Sequence, residues 1–132
     1  MELSTNTGIT NKKNIMIVDD DNDIRDAITQ ILEYEGFSVL SAANGQEGIE
    51  KLKNGNPALI LLDLMMPVMN GWQFKSKIES DPRLAQIPVV ILSADGNIQQ
   101  KSENIGVAGF LKKPIQLETL LDTVKKYCDE PK

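Results

Sequence analysis

The amino-acid sequence predicts an α/β protein, a (βα)5 chain whose five strands form one doubly wound parallel sheet. Two observations support this class. Five short apolar runs alternate along the chain with segments in which apolar residues recur at helical spacing. The third and fourth runs are almost wholly apolar, which is typical of parallel strands that helices cover on both faces. The length of 132 residues is that of one domain with a substantial hydrophobic core.

Five strands are predicted from the apolar runs. They are residues 14–18 (NIMIV), 37–42 (FSVLSA), 58–63 (ALILLD), 87–93 (IPVVILS) and 108–112 (AGFLK). Right-handed crossovers between parallel strands place helices on both faces of the sheet. In the flavodoxin-like strand order 2-1-3-4-5, strands one and three are neighbours. Ligands bind at the switch point between such strands, beyond their carboxyl ends.

Four of the segments that follow the strands have clear helical signals. Asp21 and Asn44 are candidate N-caps of the first and second helices, and Gly36 and Gly55 end these helices. The third helix ends before residues 80–82 (SDP). The apolar positions of the four helices are Ile24, Ala27, Ile28, Ile31 and Leu32; Ile49 and Leu52; Trp72, Phe74 and Ile78; and Leu117, Leu120, Leu121 and Val124.

The two ends of the chain lack any periodic pattern. Residues 1–12 are polar and aperiodic, and residues 129–132 are similar. We therefore expect two flexible tails around a single domain at residues 13–128. The sequence contains no internal repeat and no low-complexity linker.

Composition argues against several classes of function. The net charge of −5 and the absence of a basic face make binding to nucleic acid unexpected. The chain has no histidine, which excludes histidine acid–base catalysis and histidine metal ligands on this chain. Cys128 is the only cysteine, so no intramolecular disulfide can form and a reducing compartment is expected. No stretch resembles a signal peptide or a membrane span, so we expect a cytoplasmic protein without membrane contact.

Polar residues at the strand ends are the candidate functional groups. Asp19 and Asp20 follow the first strand, Asp63 ends the third, Ser93 ends the fourth, and Lys113 follows the fifth. The topology places the three carboxylates together, where they repel one another and raise a pKa unless a cation binds. Mg²⁺ prefers such oxygen ligands, so the sequence predicts a magnesium site.

Each of these groups also has a structural explanation when it is taken alone. An acid after the first strand can cap a helix, and Asp21 is the candidate for that role. Lys113 could be a solvated surface lysine, and a serine at a strand end is common. Together, however, a carboxylate, a metal site, a hydroxyl and an ammonium suggest phosphoryl transfer to Asp63 as an aspartyl phosphate.

Four motifs now identify a resemblance to the receiver domains of response regulators in two-component signalling, the stand-alone chemotaxis type included. They occur in the expected order over residues 13–127: IMIVDDD, LILLDLMMPVMNG, VVILSAD and GFLKKPI. The resemblance implies that Asp63 is the phosphoacceptor. It further implies that Asp19, Asp20, Asp63 and the backbone carbonyl of Met65 bind Mg²⁺.

The resemblance also implies roles for the hydroxyl, the lysine and one aromatic residue. Ser93 would bind a phosphoryl oxygen, and Lys113 would pair with the phosphoryl group, with a cis Lys113–Pro114 bond. Phe110 matches the aromatic switch position, which turns inward when Ser93 moves toward the phosphate. The implied partners are a histidine kinase or histidine phosphotransfer protein as donor and an unidentified downstream protein. The implied chemistry is limited to Mg²⁺-dependent self-phosphorylation and autodephosphorylation, so the chain is not expected to be an enzyme.

Two departures from the family pattern concern the signalling face. The segment from Ser93 to Lys113 is about two residues shorter than in the best-known members. The helix predicted within it offers only Ile98 and Ile105 among polar residues and is expected to be short and loosely held. Phe110 lacks a hydroxyl, so a switch that relies on a tyrosine hydrogen bond cannot operate.

Three alternative functions stay open on the sequence. The chain could be the receiver fragment of a hybrid histidine kinase. It could also be a pseudo-receiver that binds partners without phosphorylation, although such domains typically lose an acid or the lysine. An aspartate-nucleophile phosphatase of the haloacid dehalogenase type would want an acid where Met65 stands, and it usually needs a cap domain.

Overall fold

The computed structural model describes residues 14–66, 68–94 and 106–128. Its five strands form one sheet of order β2-β1-β3-β4-β5, and every neighbouring pair is parallel. The strands are β1 (Asn14–Val18), β2 (Ser38–Ala42), β3 (Leu59–Asp63), β4 (Val89–Ser93) and β5 (Gly109–Lys112). The predicted fold class and strand order are therefore confirmed. Both predicted tails, and the weak helix predicted after Ser93, lie outside the described residues.

Five helices connect or follow the strands in the described part of the chain. They are α1 (Asn22–Tyr34), α2 (Gly45–Leu52), α3 (Gly71–Glu79), α4 (Pro82–Ala85) and α5 (Leu117–Cys128). The short α4 was not predicted. Asp81 caps it by accepting the Arg83 N–H, and Pro82 occupies its first position, so the Asp-Pro pair was the available signal. None of the described helices is both long and apolar enough to span a membrane.

The ends of α1 and α2 are formed by the residues that the sequence indicated. Asp21 accepts the N–H groups of Asp23 and Ile24 at 2.9 and 3.3 Å, and Asn44 accepts that of Glu47 at 2.9 Å. These bonds satisfy N–H groups that the helices leave without partners. Gly36 follows α1 with φ of +98°, a conformation that favours glycine.

Two hydrophobic clusters cover the two faces of the sheet. The alternation of side chains along each strand sends Met16, Ile60 and Ile91 to one face, and Ile15, Leu61 and Val90 to the other. The first face packs against residues of α2, α3 and α4, and the second against residues of α1 and α5. Since both faces are buried, the carboxyl edge of the sheet is where polar side chains from several strands can converge.

Candidate functional site

The predicted site residues meet at the carboxyl edge of the sheet. Asp63 is the last residue of β3, and Ser93 is the last residue of β4, while Asp19 and Lys113 directly follow β1 and β5. Asp63, Ser93 and Lys113 border an open cavity of about 420 Å³, and the buried Asp19 lies behind its lining. Its lining residues are Asp20, Asp21, Asp63, Met65, Ser93, Ala94 and Lys113. The switch point predicted between β1 and β3 is therefore a real concavity.

Asp19 is fully buried and is held at both its backbone and its side chain. Its N–H donates to the carbonyl of Ala42 at 3.1 Å, which ties it to the end of β2. Its Oδ1 accepts the N–H of Asp21 at 2.9 Å, and its carbonyl oxygen accepts a hydrogen bond from Arg25 Nη1 at 2.7 Å. The position of this carboxylate is thus determined by the fold of the loop after β1.

Lys113 supplies the positive charge of the site. Its Nζ lies 3.0 Å from Asp19 Oδ2 and 3.7 Å from Asp63 Oδ1, so one ammonium bridges the ends of β1 and β3. Its backbone N–H donates to the carbonyl of Ser93 at 2.8 Å, which fixes the start of the loop after β5. The predicted cis Lys113–Pro114 bond is present.

The environment of Asp63 raises its pKa to about 7. Burial is the largest cause, because Asp63 is only 5% exposed and its ionised form therefore lacks the hydration that would stabilise the charge in water. The negative charge of Asp19 and a contact with Asp20 also raise the pKa, whereas the charge of Lys113 and the Met65 N–H lower it. The Met65 N–H donates to Asp63 Oδ1 at 3.2 Å. The convergence of carboxylates that the sequence predicts therefore adds to a pKa shift that is caused chiefly by burial.

The remaining predicted residues lie at different places. The side chain of Met65 is 71% exposed, so its main-chain atoms, rather than its thioether, lie beside Asp63. Ser93 is buried and lines the cavity. Phe110 lies on β5 in register with Ile91, is 39% exposed, and is not among the residues that line the cavity. The predicted core position of Phe74 is confirmed by its complete burial.

Two residues matter more to the site than the sequence indicated. Gly71 begins α3 directly against the end of β3, and its N–H donates to the carbonyl of Leu64 at 2.9 Å. A Cβ on Gly71 would lie 2.7 Å from Leu64 Cα and 2.9 Å from the carbonyl oxygen of Asp63, which is too close for any side chain. Arg25, which donates to the carbonyl of Asp19, was not singled out at all. Its only sequence signal was a position one turn into a predicted helix.

The carboxylates of the site fit a hard divalent cation. Asp19, Asp20 and Asp63 can each place an oxygen within 4.8 Å of the others, and Asp20 is exposed to the cavity. No described residue makes a well-directed hydrogen bond to the buried Asp19 Oδ2, although Lys113 Nζ lies 3.0 Å away. When all three carboxylates are ionised, the single ammonium of Lys113 leaves two negative charges, which is the charge that a divalent cation balances.

Comparison with known proteins identifies the family and supports the fold. The family model for the response regulator receiver domain matches residues 15–125. The transcriptional regulator RpaA of Synechocystis is 37% identical over 113 residues, which are 84% of this chain and 47% of RpaA. PilH of Pseudomonas aeruginosa is 34% identical over 83% of this chain and 93% of its own length.

A solved structure shares the architecture as well. Chemotaxis protein CheY4 of Vibrio cholerae superimposes with a TM-score of 0.82 and 29% identity, over 88% of this chain and 98% of CheY4. This chain spans about half the length of several curated relatives, such as RpaA, and nearly all of others, such as PilH. It belongs to the response regulator receiver domain family, whose members are signalling proteins of two-component systems.

Proposed function

We propose that this chain accepts a phosphoryl group on Asp63 from a phosphohistidine donor and signals through the resulting change in its protein contacts. The observation that carries the proposal is the position of Asp63. Its carboxylate lies at the end of a buried strand, faces an open cavity, and is 3.7 Å from the ammonium of Lys113. A carboxylate so placed can act as a nucleophile, because a donor can reach it through the cavity and the positive charge of Lys113 lies beside it.

The transfer is an exchange of one phosphorus bond for another. An oxygen of Asp63 attacks the phosphorus of a phosphoimidazole, the oxygen–phosphorus bond forms, and the phosphorus–nitrogen bond breaks. The electron pair of the broken bond goes to the imidazole nitrogen, which takes up a proton from solvent. Water later attacks the aspartyl phosphate, which restores the carboxylate and releases inorganic phosphate. Self-phosphorylation and autodephosphorylation are then the only reactions of the chain.

Lys113 and Ser93 are the candidate groups for binding the phosphoryl oxygens. Lys113 offers a point charge beside Asp63, and Ser93 lies on the neighbouring strand and lines the same cavity. Asp19, Asp20, Asp63 and the carbonyl of Met65 would hold Mg²⁺, which supplies neutralisation of the phosphoryl charge when bound. The buried Asp19 Oδ2 and the excess of negative charge support that assignment.

The proposed signal is a change at the exposed edge of the sheet. Phe110 is partly exposed on β5, next to the strand that carries Ser93. Movement of Ser93 toward a phosphoryl group would open space into which Phe110 can turn, and the surface around β5 would change. The expected partners are therefore a histidine kinase or histidine phosphotransfer protein as donor and a downstream protein that binds this surface. The net charge of −5 favours protein partners over nucleic acid.

Incubation of the full chain with acetyl phosphate and MgCl₂ tests the proposal, with intact mass spectrometry as the measurement. We expect a gain of one phosphoryl group, and no gain when EDTA replaces MgCl₂. Asp63→Asn removes the nucleophile and should abolish the gain. Asp26→Asn is the matched control, because Asp26 is an exposed aspartate on α1, and it should be phosphorylated as the wild type is.

Two results would contradict the proposal. One is a wild-type chain that gains no phosphoryl group from any small donor or from a phosphorylated histidine phosphotransfer domain. The other is a gain in Asp63→Asn equal to that of the wild type, which would place the modification elsewhere.

A further inference from the structure

Arg25 lies outside the cavity but holds the loop that carries the acids. It is the fourth residue of α1, and its side chain folds back over the N-terminal end of that helix. Nη1 donates to the carbonyl oxygen of Asp19 at 2.7 Å, and Nη2 donates to Oδ1 of Asn22. The planar guanidinium can satisfy two acceptors at once, so it is fixed at two points.

The carbonyl that Arg25 holds belongs to the peptide between the two acids. A peptide unit is planar, so the direction of the Asp19 carbonyl fixes the orientation of the plane that leads into Asp20. Asp19 has further anchors at its N–H and its carboxylate. Asp20 is exposed and its side chain contacts Asp63, so its direction depends on that contact and on the backbone that precedes it.

The same guanidinium also acts on the neighbouring loop. The pKa of Glu47 is lowered, chiefly because its carboxylate accepts the Ala43 N–H at 2.7 Å, with smaller contributions from the charges of Lys51 and Arg25. Ala43 follows β2, whose last residue accepts the N–H of Asp19. Arg25 is thus hydrogen-bonded to the loop after β1, and its charge makes a small contribution at Glu47, near the loop after β2.

We propose that Arg25 is a positioning residue for the cation site: it holds the Asp19–Asp20 peptide so that the Asp20 carboxylate faces Asp63 and Asp19. This inference rests on the proposed function, because it assigns a role toward the divalent cation that the three carboxylates would bind. Arg25 does not itself contact that cation. It acts on the ligands through the backbone, as outer residues around metal sites commonly do.

The charge of Arg25 and its positioning role predict opposite changes in Mg²⁺ affinity when Arg25 is replaced, which makes the inference testable. A positive charge near the site repels Mg²⁺, so its removal alone would strengthen cation binding. Loss of the hydrogen bond to the Asp19 carbonyl would instead free the peptide and weaken binding. If Arg25 is a positioning residue, neutralising it lowers the affinity for Mg²⁺ in spite of the charge effect.

The experiment titrates MgCl₂ into ¹⁵N-labelled wild-type chain and variants and follows the amide resonances of the site loops. We expect Arg25→Gln to bind Mg²⁺ about tenfold more weakly than the wild type. Arg25→Lys can still donate one hydrogen bond to the Asp19 carbonyl but not hold two acceptors at once, so its loss of Mg²⁺ affinity should be smaller. Before any metal is added, the amides of Asp20 and Asp21 should already shift in Arg25→Gln, and the Asp21 N–H should exchange faster with solvent.

Two further variants separate positioning from charge and from loss of folding. Lys112→Gln removes one positive charge from an exposed residue beside Lys113, and it should leave Mg²⁺ affinity unchanged or slightly raised. Asn22→Ala keeps Arg25 and its charge but removes one anchor of the guanidinium, and it should weaken Mg²⁺ binding modestly. If Arg25→Gln does not fold, Arg25→Lys and Asn22→Ala decide the question, and wild-type affinity in both overturns the inference.

The outcomes distinguish this inference from the proposed function. Mg²⁺ binding by a folded Arg25→Gln chain that is equal to or tighter than that of the wild type overturns the role of Arg25 and leaves the proposed function intact. A wild-type chain with no response to millimolar Mg²⁺ overturns the cation site and with it the role of Arg25. Weaker binding in Arg25→Gln together with metal-free shifts at Asp20 supports the inference.

Discussion

Two sides of the site are built in different ways. The acid side consists of β3 with Asp63 and the loop after β1 with Asp19 and Asp20, and the lysine side consists of β5 and Lys113. On the acid side, β3 is buried along its whole length, and Asp19 is held by hydrogen bonds at its N–H, its carbonyl and Oδ1. On the lysine side, only Leu111 of β5 is buried, and the side chain of Lys113 is 18% exposed. Lys113 reaches the acids through a long, flexible side chain and two ion pairs.

The buried carboxylates are therefore positioned by the fold of the chain, whereas the Lys113 ammonium is positioned by electrostatic attraction. Asp19 and Asp63 occupy their positions because they are buried and are held by hydrogen bonds to the main chain. The ammonium stays where it is because negative charge attracts it, so any change of charge at Asp63 acts most directly on Lys113 and the strand before it. The acid side is the rigid frame of the site, and the lysine side is the part that can respond.

The largest change in stability is expected at Gly71, where α3 packs most closely against the end of β3. In Gly71→Ala the new Cβ would meet backbone atoms of Asp63 and Leu64 at 2.7–2.9 Å, and no rotation of a side chain can relieve that contact. We expect a loss of about 4 kcal/mol in the free energy of unfolding, at the upper end of such overpacking effects. Urea unfolding followed by the fluorescence of Trp72, the only tryptophan, measures it.

Gly109→Ala is the control for this prediction on the lysine side. There a Cβ would meet only Tyr127 Oη and Val90 Cγ2, both at 3.9 Å, which is ordinary contact. The variant should keep wild-type stability or gain roughly 0.5 kcal/mol, because alanine is favoured over glycine within a strand. Equal losses of stability in Gly71→Ala and Gly109→Ala would mean that the two sides of the site are packed equally closely.

The next effect concerns the ammonium itself. Lys113→Met leaves the buried Asp19 and Asp63 carboxylates without a positive partner, and we expect a loss of about 3 kcal/mol, as for other broken buried ion pairs. Since the charge of Lys113 lowers the pKa of Asp63, that pKa should rise further in the variant. The loss should therefore be larger at pH 8 than at pH 5, where Asp63 is protonated and neutral.

Lys112→Met is the matched variant for the neighbouring lysine. Lys112 is exposed and does not line the site cavity, so its loss should change the stability by less than about 0.5 kcal/mol. Urea unfolding at both pH values compares the two variants. A pH-independent loss in Lys113→Met would indicate that the side chain contributes packing rather than charge.

A smaller change, a pH-dependent gain in stability, is expected for Asp63→Asn. The pKa of Asp63 is about 7 in the folded chain against an ordinary value of 3.8. Between these values the folded chain binds a proton that the unfolded chain has released, so the stability of the wild type falls as the pH rises through that window. Asparagine does not ionise and has no such penalty. The free energy of unfolding of Asp63→Asn should therefore exceed that of the wild type by about 2 kcal/mol at pH 8.

Unfolding curves between pH 4 and pH 8 measure this difference. The advantage of Asp63→Asn should shrink toward zero near pH 4, and saturating MgCl₂ should reduce it at pH 8 by stabilising the wild type. A stability advantage that is constant over the whole pH range would show that the ionisation of Asp63 is not its cause.

Much of the site could be predicted from the sequence because parallel topology alone brings strand ends together. Apolar periodicity located β1, β3, β4 and β5, and the residues after them then had to share one edge. The direction of the Asp63 pKa shift was predicted from the same convergence, since neighbouring carboxylates repel one another, but its largest cause is burial. The caps Asp21 and Asn44 were predicted because capping depends on local sequence.

The contacts that the sequence did not reveal depend on distances between elements. The close approach of Gly71 to Leu64 requires the packing of α3 on β3, which no local pattern encodes. The hydrogen bond from Arg25 to Asp19 depends on a rotamer of a long side chain, and an arginine on an exposed helix face usually points into solvent. The partial exposure of Phe110 likewise reflects its place near the edge of the sheet rather than its hydrophobicity.

The smallest of the four predicted effects separates a capping acid from the acids of the proposed cation site. Asp21 lines the cavity, yet its Oδ1 accepts the N–H groups of Asp23 and Ile24 and is thereby engaged at the start of α1. Asp21→Ala should lower the free energy of unfolding by about 1 kcal/mol, the usual cost of losing such a cap. Because Asp19, Asp20 and Asp63 remain, phosphorylation by acetyl phosphate should persist, whereas Asp20→Ala should reduce it with little loss of stability. Intact mass and urea unfolding of the two variants measure both properties. If Asp21→Ala abolished phosphorylation while retaining its fold, Asp21 would belong to the cation site, and the acid side would contain four functional carboxylates.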